Sequence, residues 1–529
     1  MLRRATFLRL ALGALVLVLE VIPATAKPTP VAKRADPTVQ LDEATVTGVA
    51  GILTNSWLGI PFAQPPVGSL RFQLPQPLPS YITSFSATTY GPACPQQDIS
   101  IPLPSVLPAE AVAAINNVTT LIYDVVTASS EDCLTINVVA PADATPESKL
   151  PVIAWIFGGS FEGGSSSIYP GSVIVDKSTE LGVPAVYVSM NYRVSAFGFL
   201  ASQEVKDAGA GNLGLHDQRL ALKWIQKYIS SFGGDPRKVT IWGHSAGAIS
   251  VALHMLTNGG DTEGLFRAAF MQSGSPIPVG DITHGQPYYD FLVDQTGCTG
   301  SNNTLECLRD VEYEALINAI NETPNILSYQ AIADLGRLVL QGSVADVPFI
   351  TGDCYDEGTL FSLSTLNITT DSDLYTWPKT YWVPNGTQSE IEAGMALYPS
   401  DPADGSPFNT SDLYALTPEF KRIAAVQGDI VFQAPRRLFL ESQSGKQPTW
   451  AYLSRRYKWV PVLGSDYLVR FAANLDPSGD TGIEWPRYTT ESPKLLTFLD
   501  GLAPLEITQD TYRAAAMKGI TDLTLEYPI

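Results

Sequence analysis

Short apolar runs recur along the chain, with amphipathic stretches of helical spacing between them. The runs at 150–157, 183–190, 238–242, 268–275, 348–352 and 450–454 read as strands, the last as the final major strand. They carry few alternating polar residues, as expected of strands covered on both faces. Between them, 220–229 is amphipathic. The stretch 248–256 lacks Pro and Gly and sets Ile249, Leu253 and Leu256 on one helical face. Strands alternating with helices predict an α/β chain with a mostly parallel sheet wound on both faces. Ahead of this, 46–58 alternates weakly and reads as an opening hairpin. Pro61, Pro65, Pro66, Gly59 and Gly68 mark 57–72 as an ordered extended loop.

One junction in this pattern carries chemistry. Gly243-His244-Ser245-Ala246-Gly247 lies between the 238–242 strand and the 248–256 helix. Strand, G-x-S-x-G, helix is the context of a nucleophile elbow. The glycines let the backbone pass closely, and the serine is thrown up at a helix N-terminus, where developing negative charge is favoured. The Ala246 N–H is placed to donate to an oxyanion. A chain with 42 glycines can carry the pentapeptide by chance, so the flanking elements are what give it weight. His244 adjoins the serine but points away from it, as a packing residue. Gly158-Gly159-Ser160-Phe161 ends another strand, where glycines permit close backbone approach; an ordinary turn is the plainer reading. The strand at 348–352 runs into Asp353, Asp356 and Glu357, which on the plain reading are solvent-facing loop charges.

Composition removes several classes. Apolar residues make up 45% and charged residues 16%, enough for a large core and against disorder. The net charge of −20 argues against nucleic acid and against docking to anionic membranes. No H-E-x-x-H or phosphate loop is present, so no metal and no organic cofactor is implied. Residues 1–26 form a signal peptide: basic Arg3, Arg4 and Arg9, the apolar run 10–19, and Ala24-Thr25-Ala26 before Lys27. Lys33-Arg34 is a second, dibasic processing site or an exposed pair. The apolar run is too short to span a bilayer, and no later stretch is long enough. Secretion to the extracellular space follows, and the five cysteines suit it. Pairing neighbours, Cys94 with Cys133 and Cys298 with Cys307, is the simplest connectivity and leaves Cys354 free. Sequons begin at Asn117, Asn302, Asn321, Asn367, Asn385 and Asn409.

Several further motifs occur in order: the 57–72 stretch, Ser130-Glu131-Asp132-Cys133-Leu134, Asn191-Tyr192-Arg193-Val194, Gly211-Asn212-Leu213-Gly214-Leu215-His216-Asp217-Gln218 and Phe232-Gly233-Gly234-Asp235-Pro236. With the elbow, they make the chain resemble the type-B carboxylesterases and lipases, which include cholinesterases and fungal extracellular lipases. The resemblance implies an α/β-hydrolase fold over a single domain, 27–529. It implies Ser245 as nucleophile, Glu357 as the acid, and the N–H groups of Gly159, Ser160 and Ala246 as oxyanion donors. The family usually has a third glycine where Ser160 stands. Within the first disulfide loop, 101–126 carries only Glu110 and Asp124 as charges and places Val112, Ile115, Thr119, Ile122 and Val126 at helical spacing. A surface helix is one reading; the resemblance favours a lid over an apolar acyl pocket, with 95–132 as its bounds. The implied partner is a small-molecule or lipid ester, with transient contact to a lipid interface.

The resemblance breaks at one point. A histidine should follow Glu357, but His216, His244, His254 and His284 all precede it. The segment 461–465 leads toward the family's Phe-His stretch, and 466–477 resembles the helix beyond it. A short piece bearing the histidine is missing between Gly464 and Asp466, in what is expected to be a loop at the sheet's edge, and its closure should strain the path toward Tyr467. A mis-spliced or mis-predicted gene product, a relative that lost activity, and a substitute histidine (His254 or His216) are the three explanations, in that order. Serine, acid and glycines all persist, which favours an enzyme whose sequence is incomplete over a non-catalytic binding homologue.

Overall fold

A computed structural model describes residues 34–98, 128–324, 328–331, 335–456, 462–479 and 483–529. The predicted signal peptide, the interior of the predicted lid and Asn117 lie outside these residues. Residues 36–529 form one compact unit.

Fourteen strands are described. A small sheet joins β1 (Thr38–Leu41), β2 (Ala44–Thr47) and β5 (Phe85–Ser86). The large sheet contains β3 (Val49–Ala50), β4 (Thr54–Pro61), β6 (Thr135–Pro141), β7 (Leu150–Ile156), β8 (Val186–Met190), β9 (Gly234–His244), β10 (Ala268–Gln272), β11 (Phe349–Cys354), β12 (Thr449–Ser454), β13 (Lys494–Phe498) and β14 (Leu505–Gln509). Its order is β14-β13-β12-β11-β10-β9-β7-β8-β6-β4-β3. From β8 to β13 every neighbouring pair is parallel, and antiparallel pairs close both edges. The helices Ser172–Glu180 and Val462–Asn474 pack on each other, as do Leu213–Tyr228 and Ala246–Leu256. With both faces covered, β8 is buried along its whole length, which is why its sequence is apolar apart from Ser189.

Three expectations need correction. The stretch 57–61 is the end of β4, not loop: Trp57 and Ile60 are buried and pair with Val138 and Ile136. Gly59, at φ 73, makes the irregularity between them, and a Cβ there would sit 2.5 Å from the Thr89 carbonyl oxygen. The proline density masked the strand because Pro61 ends it. Second, β12 is not the final major strand; β13 and β14 lie beyond it, so the histidine position is not at the sheet's edge. Third, residues 464–466 are not in a loop. They lie in the first turns of Val462–Asn474, where Asp466 pairs with Lys177 at 3.3 Å, and no described residue of that helix has a positive φ.

The helix expected at 220–229 begins earlier, at Leu213, and carries Asp217 into a buried bidentate pair with Arg193, at 2.7 and 2.8 Å. Both predicted disulfides are present, and Cys354 is free and exposed. Among the described residues, no helix is long and apolar enough to cross a membrane.

Candidate active site

β9 ends at His244 and the helix Ala246–Leu256 begins two residues later, so Ser245 alone makes the turn. It does so at φ 55, ψ −126, a region that non-glycine residues avoid. The surroundings hold it there. The Ser245 N–H donates to the Gln272 carbonyl at 2.8 Å, and the Ile249 N–H donates to the Ser245 carbonyl at 2.9 Å. A Cβ on Gly243 would lie 2.3 Å from the Gly247 carbonyl oxygen, and one on Gly247 2.1 Å from that of Ile156. Both motif glycines are therefore required by packing.

The predicted oxyanion loop sits directly against this turn. A Cβ on Gly158 would be 2.9 Å from the Ser245 Cβ. Gly159 (φ 126), Ser160 (φ 57) and Phe161 (φ 62) follow in left-handed backbone, and the Gly159 carbonyl accepts from the Glu162 and Gly163 N–H groups at 3.0 and 3.1 Å. The Cβ at Ser160 is accommodated, at the usual cost of about 1–2 kcal/mol for an L-residue in this region. Ala246 opens its helix, so its N–H has no intrahelical acceptor.

Two residues that sequence reasoning missed brace the loop. Glu162 is fully buried and accepts from the Tyr329 N–H at 2.7 Å. Gln330 donates its side-chain amide to the Ser160 carbonyl at 2.9 Å. Burial pushes the Glu162 carboxyl well above its ordinary range. No local pattern could have shown this pairing, which joins segments far apart in the chain.

Glu357 follows the end of β11. Its carboxylate accepts from the Cys354 N–H at 2.6 Å and bonds the Ser273 hydroxyl. Burial, then the nearby Asp353 charge, push it up to about 8. Ser245 and Glu357 thus stand at the carboxyl ends of β9 and β11 with β10 between, so their strands are two spacings, about 10 Å, apart. Ser273, just past β10, fills the middle position.

Neither of the other two acids is a solvent-facing loop charge. Asp353 is still within β11, fully buried, 3.0 Å from Arg436, which also holds Asp510 at 2.8 Å. Asp356 is half-buried and accepts from the Ser406 hydroxyl and the Phe408 N–H at 2.9 and 2.8 Å.

The histidines are placed as follows. His254 is buried, its Nε2 2.9 Å from the Gln218 Oε1, and burial pushes it down to about 3. Nine residues along the helix from Ser245, it stands about 13 Å further on. His216 and His284 are exposed. His244 is half-buried, and burial pushes it down to about 4. Of the sequons, Asn302, Asn367, Asn385 and Asn409 are exposed, whereas Asn321 is partly buried and its side chain exchanges hydrogen bonds with Asp98. Among the described residues, no cluster of His, Cys, Asp and Glu is suited to a metal ion.

A strained serine between a parallel strand and a helix, faced by a glycine loop, places the molecule among the α/β-hydrolases. Residues 35–462 match the model of the Carboxylesterase family, and the chain belongs to that family. Lipase 5 of Diutina rugosa is 41% identical over 501 residues, covering 87% of this chain and 90% of that protein. Secreted lipase 1 of Botryotinia fuckeliana is 40% identical over 510 residues, covering 86% and 88%. Among solved structures, Aspergillus niger EstA superposes with a TM-score of 0.79 at 27% identity, covering 94% of this chain and 99% of that one.

Proposed function

We propose that the chain is built as a secreted carboxylic ester hydrolase with Ser245 as nucleophile, and that as written it lacks the imidazole this chemistry needs. The observation that carries the reading is the Ser245 backbone at φ 55, ψ −126, with Gly158 packed on its Cβ. In the reaction, Ser245 Oγ attacks the ester carbonyl carbon, and the carbonyl electron pair moves to oxygen. The N–H groups of Ala246, Gly159 and Ser160 stabilise that oxyanion. A base must take the Oγ proton and return it to the departing alcohol, with Glu357 orienting the base. The secreted lipases among the relatives support an extracellular setting and an ester with an apolar acyl group.

No histidine follows Glu357 in the chain, and the family match stops at residue 462, just before the suspected gap. Both facts support a missing segment. Losing a triad member costs on the order of 10⁴–10⁶ in kcat, so hydrolysis of a short p-nitrophenyl ester by this chain should be near background. The transcript across Gly464–Asp466 separates the explanations. An extra Phe-His-containing segment there identifies the natural protein as an active esterase. A fluorophosphonate should label that restored chain and spare its Ser245→Ala variant; equal labelling of both would sink the nucleophile assignment. If the message matches this sequence, the lack of a histidine after Glu357 favours the second reading, a catalytically impaired or non-catalytic homologue. Robust turnover by this chain, abolished by Ser245→Ala, would refute both and point to a relocated histidine.

A further inference from the structure

A cavity of about 570 Å³ lies apart from the serine site: neither Ser245 nor Glu357 lines it. Its volume falls within the range of small-molecule pockets, about 300–1,000 Å³. Tyr355 and Phe408 border it, Leu397 gives it an apolar wall, and Asp404 and Arg513 give it polar groups. Asn409 also lines it, and Asn409-Thr410-Ser411 is a sequon.

The charge pattern narrows the occupant. Arg513 lies over the Phe408 ring, 4.1 Å from its centroid, and is paired with Asp429 at 2.6 Å. Its charge is already compensated, and the exposed Asp404 carboxylate opposes an anion. What fits is a neutral polyhydroxylated ring, with one apolar face for Leu397 and polar groups for Asp404 and Arg513. The loop that carries Asn409 is also fixed. The buried Lys421 ammonium donates to the Thr410 hydroxyl at 2.8 Å and to the Ser411 carbonyl at 2.6 Å, and the Thr410 hydroxyl donates to the Pro407 carbonyl at 2.6 Å. Asn409 itself sits at φ 62, a conformation Asn tolerates. Leu397, with 42% of its surface exposed, is apolar area that a sugar would cover.

We infer that Asn409 carries an N-linked glycan whose first sugar folds back into this cavity, against Leu397. The inference rests on the secretory reading above but not on any ester chemistry. The protein is collected from the medium of a eukaryotic secreting host, and each sequon is mapped by mass spectrometry. The folded protein is then treated with a glycan-removing amidase, and release is timed at each site. Asn409 should be occupied and should lose its glycan at least about tenfold more slowly than Asn302, Asn367 and Asn385, a ratio equivalent to about 1.4 kcal/mol. Unfolding should abolish the difference. Leu397→Asp, a change at an exposed wall position, should bring Asn409 toward the other rates. A bare Asn409 beside occupied neighbours overturns the inference alone; all sequons bare overturns the secretory reading with it. Release at Asn409 as fast as elsewhere, or a slow rate unchanged in Leu397→Asp, would also overturn it.

Discussion

Ser245 and Glu162 are costly in different ways, and only the first cost is written in local sequence. The Ser245 backbone stores on the order of 1–3 kcal/mol. The pentapeptide reveals it, because Gly243 and Gly247 are the residues such a turn demands. Glu162 is a buried carboxyl whose partners come from 329 and 330, so nothing near it in sequence announces its environment. Its folded value lies well above the ordinary 4.5 because of burial. Its contribution to stability is therefore full below about pH 4.5 and is lost as pH rises toward the folded value. Glu162→Gln keeps the acceptor for Tyr329 and cannot ionise. Its urea midpoint should fall less than the parent's as pH rises above about 5, and parallel declines would count against this account. Cys354 offers a second check. It is the single free thiol, on an exposed residue at the end of β11, and desolvation of its sulfur, followed by the Glu357 charge, pushes it well up. Alkylation of the folded, unreduced protein should add one label per chain, at Cys354, slowly at neutral pH and faster in alkali. More than one label would contradict the two disulfides.

At the scale of elements, β11 is tied to its neighbours through charge as well as through the sheet. Arg436, on the helix Ala434–Gln443, joins Asp353 of β11 to Asp510 just past β14, and all three are buried. Arg436→Met would leave the buried Asp353 without its cation and Asp510 with Arg437 alone, and should cost about 3–5 kcal/mol in denaturant unfolding. A loss under about 1 kcal/mol would mean that Arg437, also bonded to Asp510, suffices. The elements themselves were legible where burial on both faces leaves an apolar run: β7 to β12 each lie within a residue or a few of their predicted positions. Legibility failed at the edges. β4 was hidden by the prolines at its end, and β13 and β14 lie beyond 450–454, the strand read as the last. Gly464 and Ser465 belong to the first turns of Val462–Asn474, in which no described residue has a positive φ.

For the whole molecule, the sequence determined what depends on near neighbours and repeating pattern. It specified an α/β chain with a parallel sheet, a serine on a strand-to-helix turn, a glycine loop, an acid after a later strand, two disulfides between neighbouring cysteines, and the lack of a histidine beyond Glu357. Parallel strands covered on both faces, and turns too tight for a Cβ, leave their mark directly on residue type. Tertiary structure alone decided how distant segments meet. It set β10 between Ser245 and Glu357, placed Ser273 at that midpoint, and buried Asp353 where a loop charge was expected. It also braced the glycine loop with Gln330 and Glu162 and brought Asn409 to a cavity lined by Tyr355 and Arg513. These pairings depend on which surfaces are brought together when the sheet forms, and a residue's sequence neighbours carry no record of its partner across the sheet.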